Sequence, residues 1–159
     1  MFNTTDIGEP STNIGSHLPQ VRQQSFPAPI GKLLGLNLIQ AEKGHAVVEL
    51  DADDRHANPM GTLHGGVLCD LADAAMGLAY RTTLVEDESF TTLELKINFL
   101  RPVRKAKLRA KARMVRAGRI VGLVECDVVD EQERLVARAS STCLTLRGEL
   151  AEGRRPPAL

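Results

Sequence analysis

Over residues 90–100 apolar and polar positions alternate. Leu93, Leu95, Ile97 and Phe99 take every second place, and Thr92, Glu94, Lys96 and Asn98 fill the gaps. That is the period of a strand with one apolar face, and Arg101-Pro102 ends it. The period returns over 107–116, with Leu108, Ala110, Ala112 and Met114 inward and Lys107, Arg109, Lys111 and Arg113 outward. It returns again over 119–130, with Ile120, Val124, Cys126 and Val128 inward and Glu125 and Asp127 outward. Basic and acidic residues share one face only if the connecting loop has an odd number of residues. A three-residue loop, 116–118, with Gly118 in the left-handed region, satisfies this and sets Arg109 opposite Glu125 and Lys107 opposite Asp127. A polar turn over 130–134 leads to a last strand over 135–146. Earlier in the chain, short strands over 36–40 and 45–50 flank a turn at Glu42-Lys43-Gly44. A short helix or turn within 26–35 precedes them, and a loop over 51–61 follows.

Residues 65–84 read differently. The run is nearly all apolar and too long for a strand, so it predicts a helix. A helix apolar on every side is expected to be buried all round. Asp70 and Asp73 interrupt the run with no cationic partner nearby in sequence, and a carboxylate in such a place is costly unless something satisfies it. Two strands, one long helix and four strands on short connections predict an α+β domain, with a curved antiparallel sheet around one central helix. The domain is expected over 25–147, between a polar, mobile N-terminal tail over 1–24 and a charged, Pro-rich C-terminal tail over 148–159.

Composition narrows the function. Lys plus Arg equals Asp plus Glu at 20 each in 159 residues, against the basic excess of a nucleic-acid binder. No apolar run suits a membrane span, and the N-terminus lacks the pattern of a secretory signal. Cys69, Cys126 and Cys143 are odd in number and scattered, which indicates neither a disulfide framework nor a zinc site and fits a cytoplasmic setting. None of His17, His45 and His56 has metal-ligand spacing, and His56 reads as an exposed loop residue.

Chemistry concentrates at the helix. His64-Gly65-Gly66 stands at its predicted start, where backbone N–H groups lack internal partners and the dipole is positive. Glycine lets a carbonyl or oxyanion approach that backbone, although a glycine pair also serves simply to start a helix in a tight turn. Asp73, two turns on, is placed to act as general base or nucleophile with a raised pKa, or else is a buried acid bonded to a neighbour. Asp70 is nearer the helix start, where negative charge is stabilising, and that is reason enough for it. Cys69 has apolar neighbours and reads as a packed, inert thiol. Arg101, Arg104 and Lys105, and separately Arg119, are basic residues able to meet phosphates; a solvated turn accounts for them equally well.

Asn58, the run Gly61-Thr62-Leu63-His64-Gly65-Gly66, then Leu71-Ala72-Asp73, Thr92 and the strand ending Phe99-Leu100-Arg101-Pro102 resemble the hotdog-fold acyl-CoA thioesterases. The phenylacetic-acid-pathway branch is the nearest type, and the resemblance covers residues 30–147. It implies a long helix wrapped by an antiparallel sheet and hydrolysis of an aromatic or medium-chain acyl-CoA. Coenzyme A enters as part of the substrate, and no metal or other cofactor is implied. It implies a homodimer paired edge to edge with interfacial sites, and dimers in this family often pair into tetramers. By the same resemblance, Asp73 is the catalytic carboxylate and Gly65 the N–H on the thioester carbonyl, with Gly66 beside it. His64 shapes the site, Asn58 contacts the reacting region and Thr92 orients water. Asn58, His64 and Gly65 would come from one subunit, Asp73 and Thr92 from the other. The related branch with Glu at the catalytic position and Thr one turn later fits less well, since those positions are Asp73 and Gly77. Two alternatives belong to other classes: a non-catalytic acyl-CoA-binding protein, and an enoyl-thioester hydratase or dehydratase, whose His-Phe-Pro-Gly segment is absent.

Overall fold

A computed structural model describes residues 24–26 and 28–154. Of the predicted tails, residues 1–23 and 155–159 lie outside the described residues; within the rest, Gly148–Ala151 form a 3-10 turn with Ala151 buried, and the Ser89 hydroxyl donates to the Arg154 carbonyl at 2.8 Å. Among these, β1 (Gln24–Ser25), β2 (Leu36–Glu42), β3 (His45–Ala52), β4 (Ser89–Phe99), β5 (Ala106–Ala117), β6 (Val121–Val129) and β7 (Leu135–Leu146) form one antiparallel sheet in the order β1-β2-β3-β5-β6-β7-β4. Helix α1 (Pro29–Leu34) precedes β2, and α2 (Gly65–Arg81) crosses the sheet's inner face. The α+β architecture expected from the patterning is thus present, with the two-residue β1 as an addition.

Small residues let α2 settle close to the sheet. Ala72, Ala75 and Ala79 on the helix meet a layer that includes Ala46, Ala110, Ala112, Ala137 and Ala139, and all are buried. Leu71 and Met76 fill the space between, each contributing about 1.5–3 kcal/mol by leaving water. The Tyr80 ring passes so near Gly122 that a Cβ there would stand 2.6 Å from it, and the buried phenol pairs with Thr145 Oγ1 at 2.7 Å. At the helix end, Thr82 donates to the Ala79 carbonyl at 2.7 Å and accepts from the Gly44 N–H at 2.7 Å. The last turn is thereby satisfied and tied to the β2–β3 turn.

Three expectations need correction. The helix is not enclosed: Asp70 and Asp73 lie on a stripe that borders an open hollow beside the edge strand β4 and are exposed in the single chain. The β5–β6 register is also shifted. Lys111 faces Asp127 and Arg113 faces Glu125, while Arg109 and Lys107 turn to Glu49 on β3 at 3.0 and 3.1 Å. The shared face of opposite charges is as expected, but the turn falls at residues 118–120, Ile120 is exposed, and a bulge at Val115 intervenes. Gly118 is not left-handed; it is needed because a Cβ there would lie 2.2 Å from the Val121 carbonyl oxygen. Third, a bulge at Leu93 breaks the alternation of β4. Leu93 is turned out to solvent, and Thr92, expected on the polar face, shares the helix side with Phe90 and, beyond the bulge, Phe99.

Candidate active site

The loop before α2 is held by its own polar groups. Asn58 Oδ1 accepts from the backbone N–H of Met60 (2.9 Å) and Thr62 (3.2 Å), and its Nδ2 donates to Thr62 Oγ1 at 2.8 Å. His56 is buried, not exposed as expected. Its Nδ1 accepts from the Asp53 N–H at 3.2 Å, which leaves Nε2 to donate to the Leu34 carbonyl at 3.0 Å. It therefore pins this loop to the end of α1. The Arg55 guanidinium holds the Asp53 carboxyl at about 2, below the ordinary carboxylate range.

His64 is the N-cap of α2, in extended conformation, and its Nδ1 accepts from the Gly66 N–H at 2.9 Å. The Gly66 donor is thereby occupied. Among the described residues no group accepts from the Gly65 N–H, which points outward at the positive end of the helix. Phe99, at the end of β4, closes over it: a Cβ at Gly65 would stand 3.1 Å from the ring. A cavity of about 350 Å³ opens here between Gly65, Leu68 and Phe99, with Arg101 on its rim. Arg104 donates to the Gly61 carbonyl at 3.2 Å, and Lys105 pairs with Asp54 at 2.6 Å. Arg119 sits in the β5–β6 turn, at the end of the sheet next to the helix C-terminus, so one chain does not bring it to Arg101 and Arg104.

Asp73 stands in a second hollow, of about 610 Å³, between α1, α2 and β4. Phe26, Ile30, Leu36 and Phe90 make its walls apolar. Water reaches the carboxylate, but these surroundings solvate it poorly, and that desolvation is the first cause raising its pKa. The Thr92 hydroxyl donates to it and opposes the rise, and the charge of Asp70 adds to it. Thr92 is held from behind: it lies directly opposite Cys143 on β7, whose thiol is within hydrogen-bonding reach of both Thr92 and Ser141 (3.7 Å). Burial raises the Cys143 thiol and raises Cys126 to about 12, as for packed thiols; Cys69 is only half-buried, and its thiol is raised by burial first and then by the charges of Asp70 and Asp73.

Asp73 comes eight residues after Gly65, about 12 Å along the helix axis. No single carbonyl group reaches both from one chain. The structure joins Asp73 with Thr92 in one hollow and Gly65 with Arg101 in another, while His64 caps the helix and lines neither. Residues missed in the sequence are the hollow's walls, Phe26, Ile30 and Phe90, and Gly77 on its floor. The spacing of positions 70, 73, 74, 77, 78 and 81, one helix stripe with the acids in it, was the available signal. Among the described residues there is no cluster of His, Cys, Asp and Glu suited to a metal, and no helix long and apolar enough to cross a membrane.

The chain is similar to several known proteins. Residues 60–137 match the model of the thioesterase superfamily. The chain is 30% identical over 109 residues to a 1,4-dihydroxy-2-naphthoyl-CoA hydrolase of Listeria monocytogenes, covering 69% of this chain and 89% of that one. It is 28% identical over 132 residues to a medium/long-chain acyl-CoA thioesterase of Salmonella typhimurium, with coverage of 74% and 85%. The PaaI protein from the phenylacetic acid degradation operon of E. coli superposes with a TM-score of 0.71 at 27% identity, with coverage of 76% and 86%.

Proposed function

Since the chain belongs to the thioesterase superfamily, we propose that it hydrolyses acyl-CoA thioesters at sites shared between two copies of itself. The observation that carries this is the separation of Asp73 from Gly65. Each copy holds a base without an oxyanion donor and, about 12 Å away, a donor without a base. The edge strand β4 supports the pairing. It is long, it carries exposed Phe99 and Leu93, and such an edge favours a second strand. Asp73 of one copy takes a proton from water, which Thr92 orients, and the water oxygen attacks the thioester carbon. The carbonyl oxygen gathers charge on the Gly65 N–H of the other copy. The carbon–sulfur bond breaks, and the proton held by Asp73 passes to the coenzyme A sulfur. Asn58 and His64 keep the donor loop and helix start in shape. Arg101 and Arg104, on the Gly65 side, meet the phosphates of coenzyme A. The reaction needs no cofactor beyond the substrate's own coenzyme A, and the unpaired cysteines suit the cytoplasm.

Complementation tests the shared site. Gly65→Pro removes one N–H at the first helical position, where proline is tolerated, and His64 already has the extended backbone that must precede it. Alone it is expected to cost about 10²–10³ in kcat. Mixed with Asp73→Asn under conditions that allow subunit exchange, it should regain activity, because one site of each mixed pair holds both intact groups. No recovery in proven mixed pairs would place the whole site within one chain.

A further inference from the structure

We propose that Gly77 sets the length of the acyl group that this protein accepts. The acyl chain leaves the carbonyl beside Asp73, runs along α2 over Gly77 and ends short of Arg81. The inference rests on the reading of Asp73 as the hydrolytic centre. Positions 73, 77 and 81 are successive places on one helix face, spanning about 12 Å, and all three line the same hollow. A side chain at 77 would stand across the line between the other two.

Among the described residues nothing else asks for glycine there. A glycine inside a helix is less stable than alanine. Gly77 is not in the left-handed region, and a Cβ would meet the Phe90 ring at 3.4 Å, an ordinary contact. Gly122, by contrast, is required by the Tyr80 ring 2.6 Å from its Cβ position. What the missing side chain at 77 provides is room. Ile30 on α1 and Phe90 on β4 bound that room with apolar surface, which suits an alkyl or aryl chain. Arg81 marks its end, because a guanidinium loses hydration against an alkyl terminus. The class of substrate is therefore a medium-length acyl-CoA. Short acyl groups leave the hollow unfilled, and long ones run into the cation.

The test is a ladder of straight-chain acyl-CoAs from butyryl to palmitoyl, read by release of free thiol with the full chain. Gly77→Leu narrows the floor and Ile30→Phe narrows the opposite wall. Each is expected to lower the ratio of kcat/KM for decanoyl-CoA over butyryl-CoA by about tenfold or more, mainly through KM. An unchanged ratio, or an equal loss along the whole ladder in folded protein, overturns the proposal. Ile30 lies at the rim and is 50% exposed, so its variant carries the test if the helix variant does not fold. If the wild type turns over no acyl-CoA at all, the thioesterase reading fails. The length gate is then decided by the same ratio in binding affinity, which the two variants must lower.

Discussion

Both hollows beside α2 are walled mainly by apolar side chains, but the first turn offers a backbone donor where two turns later the helix offers a carboxylate. His64 occupies the Gly66 N–H and Asn58 is absorbed by its own loop, so the Gly65 N–H has no acceptor among the described residues. Around Asp73 the surroundings are Phe26, Ile30, Leu36 and Phe90, and one hydroxyl, Thr92, reaches the carboxylate. One end is organised to accept developing negative charge. The other holds a carboxylate whose proton affinity is raised. On the proposed reading the two hollows, about 12 Å apart along the helix, are the two halves of a site shared between copies.

The largest effect should come from the acid itself. Asp73→Asn is expected to lower kcat by about 10²–10⁴-fold with assembly intact, measured on a tested acyl-CoA; full activity would remove Asp73 from the chemistry. The same variant sharpens the contrast through stability. A carboxyl whose pKa is raised by folding favours the folded state when protonated, and this advantage is lost as pH rises from the unfolded value of 3.8 through the raised folded value. Asp73→Asn keeps the neutral form, so its Tm should exceed that of the wild type at neutral pH, and the gap should close in acid. A Tm at or below the wild type at pH 7 would contradict poor solvation as the dominant cause.

The acid limb of the pH–rate profile separates the smaller contributions. It should lie above the ordinary carboxylate range, since activity needs the ionised base and the Asp73 pKa is raised. The Thr92 hydroxyl bond lowers that pKa, so Thr92→Val should move the limb to higher pH, with a further loss in kcat from unoriented water. Asp70 contributes the smallest of the three causes and raises it, so Asp70→Asn should move the limb slightly to lower pH while turnover at neutral pH persists. Shifts in the same direction for both variants would mean that the limb does not report Asp73.

Much of this was legible in the chain. The strand and helix periods give the six long strands and the central helix in order, and β7 begins and ends as the pattern predicts. The motif from His64 to Asp73 singles out the start and the middle of α2, because glycine at a helix start and an acid in an apolar run each break a local preference. What failed was set by contacts distant in sequence. Alternation alone places Thr92 with Glu94 and Lys96, since periodicity assumes an unbroken pleat; pairing with β7 absorbs Leu93 as a bulge and turns Thr92 to Asp73. Parity alone sets Arg109 and Lys107 opposite acids on the adjacent hairpin strand, yet Glu49, about sixty residues away, takes both. His56 looked like a loop residue until α1 offered the Leu34 carbonyl.

The sequence by itself thus determined which elements form and which residue types stand at the helix start and in its middle, because period and capping are local properties of the chain. Only the tertiary structure decided how those residues are used. Register, bulges and the hollow beside Asp73 arise where segments far apart in sequence compete for the same hydrogen bonds and the same apolar surface, and no local pattern records the outcome of that competition.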